Sequence, residues 1–363
     1  MRTVEPSKRR SGTGRVPSRP QTRRLAALLV LYGLAVTPDL TLMARASAAE
    51  AVDVSIAFAT DRAPTGNTDP RDFYGSDRAA DLTFGRATVT FPADPDASGL
   101  FDRDSELVAV LPQQGSATDV LDGFAWERTD HTVLVYVAGF MKSFADATED
   151  LAQIVRGADY RGIPLLFSWP AGNSPFGYGA DRERLQGSMR NLKALLGHLA
   201  SIEAIERIHL VAHSMGNQAL LPILLEVLQD GLLAEAQVGE LVLYAPDVDR
   251  TGFLAETLPA LRAHDIHTTL YVARFDVPLL TSRVVNRGAR LGDADAGIPL
   301  SPGMETIETT AVADFYDRHN HHLDPPIQAD VGLLLNDGLG AAQRSTLVAV
   351  DSDEGRYWQI LRD

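Results

Sequence analysis

The chain contains no cysteine. Disulfides, a thiol nucleophile and a lipid-modified cysteine anchor are therefore excluded, and the fold must rest on its core. Basic charge is also scarce: 33 Lys and Arg face 48 Asp and Glu, a formal net charge of −15 at pH 7. Beyond the first 48 residues there is no basic stripe to neutralise phosphates, which argues against nucleic acid as a partner. The acidic balance also disfavours strongly anionic substrates at low salt. Low-complexity tracts and fixed-period repeats are absent, which excludes a repeat array. What is abundant is apolar: 45% of 363 residues are hydrophobic, enough for a large core. Length alone admits two domains, although α/β folds of this size often form one.

The first 48 residues differ from the rest. They hold nine Lys or Arg against two acids, a balance of +7, which leaves residues 49–363 at −22. Arg23 and Arg24 precede an apolar run from Leu25 to Val36, and Pro38 breaks it. Ala44-Arg-Ala46 and Ala46-Ser-Ala48 are small-x-small cleavage patterns. These are the parts of a secretory signal, and the twin arginines also resemble a twin-arginine export signal. The expected organisation is a leader over 1–48, one main domain over 49–340 and a C-terminal extension over 341–363. The expected location is periplasmic or secreted, with membrane contact only through an uncleaved leader.

From residue 52 onward, β-type runs alternate with helical spacing. Strands are expected at Val52–Phe58, Arg86–Phe91, Glu106–Leu111, Thr132–Val137, Ile163–Phe167, Ile208–Ala212, Glu240–Tyr244, Thr268–Ala273 and Thr306–Thr309. A polar connection is expected between the first two. Helices are expected over 181–200, 215–229, 253–263, near Leu279 and over 327–335, and Ser143 with Asp146 can cap a further one. This alternation implies an α/β fold, with a mostly parallel sheet of about eight strands covered by helices on both faces. Ligands of such sheets lie beyond the carboxyl ends of the strands.

The most telling stretch is Arg207-Ile-His-Leu-Val-Ala-His-Ser-Met-Gly-Asn217. A buried strand ends in A-H-S-M-G and a helix follows at once, the context of a nucleophile elbow. Small residues must flank the serine because the turn is tight, and Ala212 and Gly216 do so. Ser214 is the candidate nucleophile. A serine hydroxyl needs a base, and the base needs an orienting acid. Asp276 follows the strand that starts at Thr268, and His319, His321 and His322 follow the last expected strand, Thr306–Thr309. Asp247, one strand earlier, is the second candidate acid; it and Asp249 could alternatively cap the helix ahead of Phe253. Met215 and Phe140 can supply oxyanion amides, with Gly139 allowing close approach. Trp169, Tyr178 and Asp181 follow a strand end on the same side and are candidate pocket residues. His213 is expected to pack rather than react. The remaining histidines, at 131, 198, 209, 264 and 267, read as surface or satisfied side chains.

Taken in order, these segments resemble the α/β-hydrolase superfamily, and within it a bacterial, esterase/lipase-like family of uncharacterised function. The resemblance spans roughly residues 52–335. It rests on Ala59-Thr-Asp-Arg62, Leu82-Thr-Phe-Gly85, Val137-Ala-Gly-Phe140, Phe167-Ser-Trp-Pro170, Tyr178 with Asp181, Ile208–Asn217 and Ala245-Pro-Asp-Val-Asp249. It also takes in Asp276, Ser282-Arg283 and Arg290-Leu-Gly-Asp293. It implies the hydrolase sheet, with Ser214 as nucleophile, Asp276 as acid and His319 as base. The residues themselves lead to the expectation of a small-molecule acyl substrate, with no cofactor and no metal. Two departures stand out. Ala138-Gly-Phe140 replaces the usual H-G-F, and His319-Asn-His-His322 replaces one histidine followed by aromatic residues. A metal hydrolase built on His319, His321, His322 and Asp324 is one alternative. A non-catalytic envelope-associated protein that keeps the fold is another.

Overall fold

Thr132-Val-Leu-Val-Tyr-Val137 illustrates how the sheet forms. Side chains of a strand alternate between faces, and here both faces are apolar. Val133, Val135 and Val137 enter one core, while Leu134 and Tyr136 enter the other. A strand buried on both sides suits the centre of a parallel sheet covered by helices. Burying each aliphatic side chain in this way contributes about 1.5–3 kcal/mol.

The computed structural model describes residues 51–92, 105–124, 126, 129–314 and 317–361. The expected leader lies outside them. The strands are β1 (Val52–Pro64), β2 (Tyr74–Phe91), β3 (Glu106–Gln113), β4 (Thr132–Val137), β5 (Ile163–Ser168) and β6 (Arg207–His213). They continue with β7 (Val238–Tyr244), β8 (Thr268–Val272), β9 (Met304–Glu308), β10 (Leu347–Ser352) and β11 (Gly355–Ile360). The helices are α1 (Ala117–Leu121), α2 (Phe144–Gly157), α3 (Tyr178–Ala200), α4 (Asn217–Gln229), α5 (Arg250–Gly252), α6 (Leu258–Ala263), α7 (Val277–Asn286) and α8 (Pro325–Asp337). No helix among the described residues is long and apolar enough to cross a membrane.

The sheet has eleven strands rather than about eight, in the order β10-β11-β9-β8-β7-β6-β4-β5-β1-β2-β3. The run from β11 to β1 is parallel throughout. Antiparallel β2, β3 and β10 account for the surplus. The polar connection expected between the first two strands is mostly strand: β1 continues to Pro64 and β2 begins at Tyr74, with register shifts between Thr60 and Pro64. Helices α3 and α4 pack into one core, and α2 and α8 into the other.

The segment beyond residue 340 is woven into the sheet. Its anchor is the buried Arg344, which donates to Asp330 (2.8 Å), to Glu305 (3.1 Å) and to the Tyr271 hydroxyl (3.1 Å). Removing one partner of a buried pair strands the other charge, at a cost of about 3–5 kcal/mol. Arg344→Ala is accordingly expected to lower unfolding free energy by that amount in urea titration, with Asp330 the stranded carboxylate.

Candidate active site

Ser214 sits where β6 gives way to α4, in a single turn from Ser214 to Gly216. Its φ is +52°, in the left-handed region. An L residue there costs about 1–2 kcal/mol and persists only where its surroundings enforce it. Gly216 is part of that enforcement. A Cβ at 216 would lie 2.4 Å from the Val137 carbonyl oxygen and 2.7 Å from that of Ala138. The start of α4 thus rests directly on the end of β4. Gly216→Ala is expected to destabilise the fold by about 1–3 kcal/mol through overpacking, measurable as a shift in denaturation midpoint.

The three expected side chains meet. His319 Nδ1 lies 2.9 Å from both Asp276 oxygens, and its Nε2 lies 2.9 Å from Ser214 Oγ. A carboxylate only accepts, so Nδ1 carries the proton and donates. Nε2 is then the acceptor for the serine hydroxyl. Burial lowers the basicity of His319, but the Asp276 carboxylate, assisted by Asp247, more than offsets it, and the net shift is upward. Asp276 is itself fixed by being the N-cap of α7, where its Oδ1 accepts from the Leu279 amide at 2.9 Å.

The other histidines of the cluster turn elsewhere. His321 Nδ1 lies 2.6 Å from Thr309 Oγ1, whose own proton goes to the Val272 carbonyl. Burial, then His322, pushes His321 down to about 3. The His322 ring lies 3.4 Å from the Tyr136 hydroxyl and 3.9 Å from Asp150. Burial lowers its basicity too, against the pull of Asp150. Asp324 heads α8 and accepts from the Asp314 amide. The side chains proposed for a metal site therefore diverge, and no such cluster exists among the described residues.

His213 packs behind the base. Its Nε2–H donates to the His319 carbonyl at 2.9 Å, and its ring lies 4.2 Å from that of His322. Burial keeps it neutral, well below the usual histidine range.

The loop after β4 closes over the serine. A Cβ at Gly139 would lie 2.9 Å from the Ser214 Cβ, so only glycine allows this approach. Two candidate pocket residues prove to brace this loop from behind instead. Buried Trp169 donates Nε1–H to the Ala138 carbonyl at 2.9 Å. Buried Asp181 accepts from the Met141 amide (3.3 Å), the Gly172 amide (2.8 Å) and Arg184 (2.8 Å). Both follow a strand end as expected, but their polar atoms are spent on backbone and on Arg184, not on the cavity.

A third brace carried no role in the sequence. Arg62, buried, donates to the carbonyls of Lys142 (2.7 Å), Gly75 (2.9 Å) and Ala171 (3.1 Å), and to Ser168 Oγ (2.9 Å). Burial depresses its pKa to about 10, against the pull of Asp61 and Asp181. Lys142 in turn pairs with the buried Asp150 at 2.6 Å. The only prior signal was Arg62's place in Ala59-Thr-Asp-Arg62.

A cavity of about 650 Å³ opens over Ser214. Phe140, Met141 and Tyr178 line it on one side and Val277, Leu279 and Val285 of α7 on the other, with His319 beside the serine. Tyr178 does belong to it, and its hydroxyl donates to Asp247 at 2.8 Å. Asp247 is not a cap: it accepts from Ser282 (2.5 Å) and Arg290 (2.6 Å), while Asp249 caps α5. Ser282 and Arg290 thus engage the second candidate acid, whose charge still reaches His319.

A parallel sheet carrying a left-handed serine between a central strand and its helix defines the class: an α/β hydrolase. More particularly, residues 113–318, over half of the chain, match the family described as alpha/beta hydrolase of unknown function (DUF900), and the chain belongs to that family. No curated protein matches the sequence. Among solved structures, a Listeria innocua protein aligns at 11% identity over 59% of this chain and 97% of its own, with a TM-score of 0.36. An esterase from Pyrobaculum calidifontis aligns at 10% identity over 80% and 86%, with a TM-score of 0.35. Carboxyl esterase 2 of Tuber melanosporum aligns at 10% identity over 82% and 88%, at 0.33.

Proposed function

We propose that this hydrolase is a serine enzyme cleaving carboxylic esters through an acyl-enzyme. The observation that carries the reading is the continuous hydrogen-bonded chain from Ser214 through His319 to Asp276, each link at 2.9 Å. Ser214 Oγ attacks the ester carbonyl as His319 Nε2 takes its proton, and Asp276 stabilises the imidazolium that forms. His319 then gives that proton to the departing alkoxide. Water, deprotonated by the same nitrogen, releases the acid and restores the serine.

The negative oxygen of the tetrahedral intermediate falls to the amides of Met215 and Phe140. Met215 is at the start of a helical turn, where amides lack partners within the helix. The Met141 amide is committed to Asp181, which leaves Phe140 as the donor of that loop. Ala138 lacks the imidazole usual at its position, but Trp169, Asp181 and Arg62 hold the loop in its place. That bracing favours a working enzyme over a silent one. Losing one oxyanion donor typically costs about 2.7–4 kcal/mol of barrier.

Export belongs to the same proposal, with residues 1–48 as a leader cut after Ala48. Intact mass of the protein recovered from its native host should then place the first residue at Ala49.

A panel of acyl esters tests the chemistry. Hydrolysis is expected to survive exhaustive chelation and to be absent from Ser214→Ala. Loss on chelation, or turnover unchanged by the substitution, would return the metal reading.

A further inference from the structure

Helix α7 is amphipathic, with its apolar side turned outward. Its buried side is carried by Leu279 and Ser282. Val277, Thr281, Val284 and Val285 lie on one stripe at helical spacing and point away from the core. Val277, Val284 and Val285 are 68, 77 and 62% exposed. Phe275 precedes the helix at 61%, and Phe176, on the loop facing it across the cavity, is 97% exposed. Scattered surface hydrophobics need no explanation, but a contiguous group does. This group surrounds one feature: Phe176, Val277 and Val285 are walls of the cavity above Ser214.

Arginine gathers around the stripe. On a chain of net −15, exposed Arg287 borders it and exposed Arg274 adjoins Phe275, while Arg283, also exposed, pairs with buried Asp293 at 3.1 Å. The Arg318 guanidinium sits 5.4 Å above the Phe275 ring. An apolar stripe edged by arginine is the pattern of a helix that lies in the plane of a membrane interface, with valines among acyl chains and guanidinium groups near phosphates.

We infer that α7, with Phe275 and Phe176, is a docking surface for a phospholipid bilayer, and that the cavity draws its acyl substrate from that bilayer. This rests on the serine-esterase reading for the last step only. Continuity selects a lipid surface over a folded partner. A protein or second copy seated on α7 would cover the cavity mouth, whereas a fluid bilayer can pass one acyl chain into it. Phosphate complementarity to the bordering arginines points the same way.

Because the chain lacks cysteine, a single thiol can be placed at will. An environment-sensitive fluorophore on Val284→Cys is expected to brighten several-fold with phosphatidylcholine vesicles and to be quenched by spin-labelled acyl chains. The same label on Val348→Cys, on strand β10, should not respond. Equal responses at both positions, or none at 284, overturn the proposal. So does brightening at 284 with rising protein concentration and no lipid, which would assign the face to a second copy. In a second arm, Val284→Asp and Phe275→Ser should leave hydrolysis of a dissolved short ester within twofold while lowering hydrolysis of a vesicle-embedded ester about tenfold; equal losses on both substrates contradict it. The fluorescence arm needs no turnover, so it can fail while the esterase reading stands, and the reverse.

Discussion

Ser214→Ala is expected to abolish ester turnover, lowering kcat by a factor on the order of 10⁴ to 10⁶. Without Oγ no acyl-enzyme can form, and what remains is the contribution of binding and oxyanion donors to attack by water. The loss must come from chemistry and not from the fold. Ser214 is nearly buried, and among the described residues its Oγ has one hydrogen-bond partner, His319 Nε2. Alanine keeps the backbone and the volume, and it removes one hydrogen bond, a net change of about 1 kcal/mol. Kinetics and a urea titration on the same preparation separate the two. An inactive, equally stable variant agrees with the account. An inactive variant that has lost several kcal/mol of stability would assign the serine a structural role, and an active one would remove it from the reaction.

Asp276→Asn is expected to lower kcat by a factor of about 10⁴. Asparagine can still accept from the Leu279 amide, so the cap of α7 survives. Towards His319 the exchange is not neutral. A carboxylate can only accept, which obliges Nδ1 to hold the proton and frees Nε2 for the serine. A carboxamide can present its NH₂ instead, and the imidazole then holds its proton on Nε2, where it cannot act as a base. The same substitution moves the pH profile. His319 works only when neutral, and its net shift above the usual value is due to Asp276 after burial has been offset. In the parent enzyme kcat/KM should therefore fall as pH drops through a midpoint above about 6.5. Removing the carboxylate leaves burial dominant, so the midpoint should move to lower pH. A midpoint that stays in place while kcat collapses would mean that Asp276 is not the group that raises His319.

How far the sequence reached depends on how local each signal was. The elbow was legible because its requirements lie in one short stretch, 208–227: an apolar strand, a serine between small residues, and apolar helical spacing from Ala219 to Val227. Asp276 was legible as a strand-end acid ahead of a short helix near Leu279, the same position that makes it a cap. Choosing it over Asp247 by position alone was harder, since both follow strands of one sheet. The partners Ser282 and Arg290, which occupy Asp247, are far off in sequence. Trp169 and Asp181 were placed at the right end of the sheet and given the wrong task. A strand end fixes where a residue sits, whereas the direction of its polar atoms depends on which backbone lies beside it, here Ala138 and Met141. The C-terminal strands were missed because neither is buried on both faces. Leu347–Ser352 exposes most of its side chains at the sheet edge, so its short run carries no alternation of apolar and polar residues.

The most direct test of the central claim is labelling of the purified protein with a fluorophosphonate, followed by peptide mapping of the adduct. One adduct at residue 214, absent from Ser214→Ala and slowed in Asp276→Asn, is the expected result. An unlabelled protein with active esterase function, or an adduct at another side chain that persists in Ser214→Ala, would contradict the account.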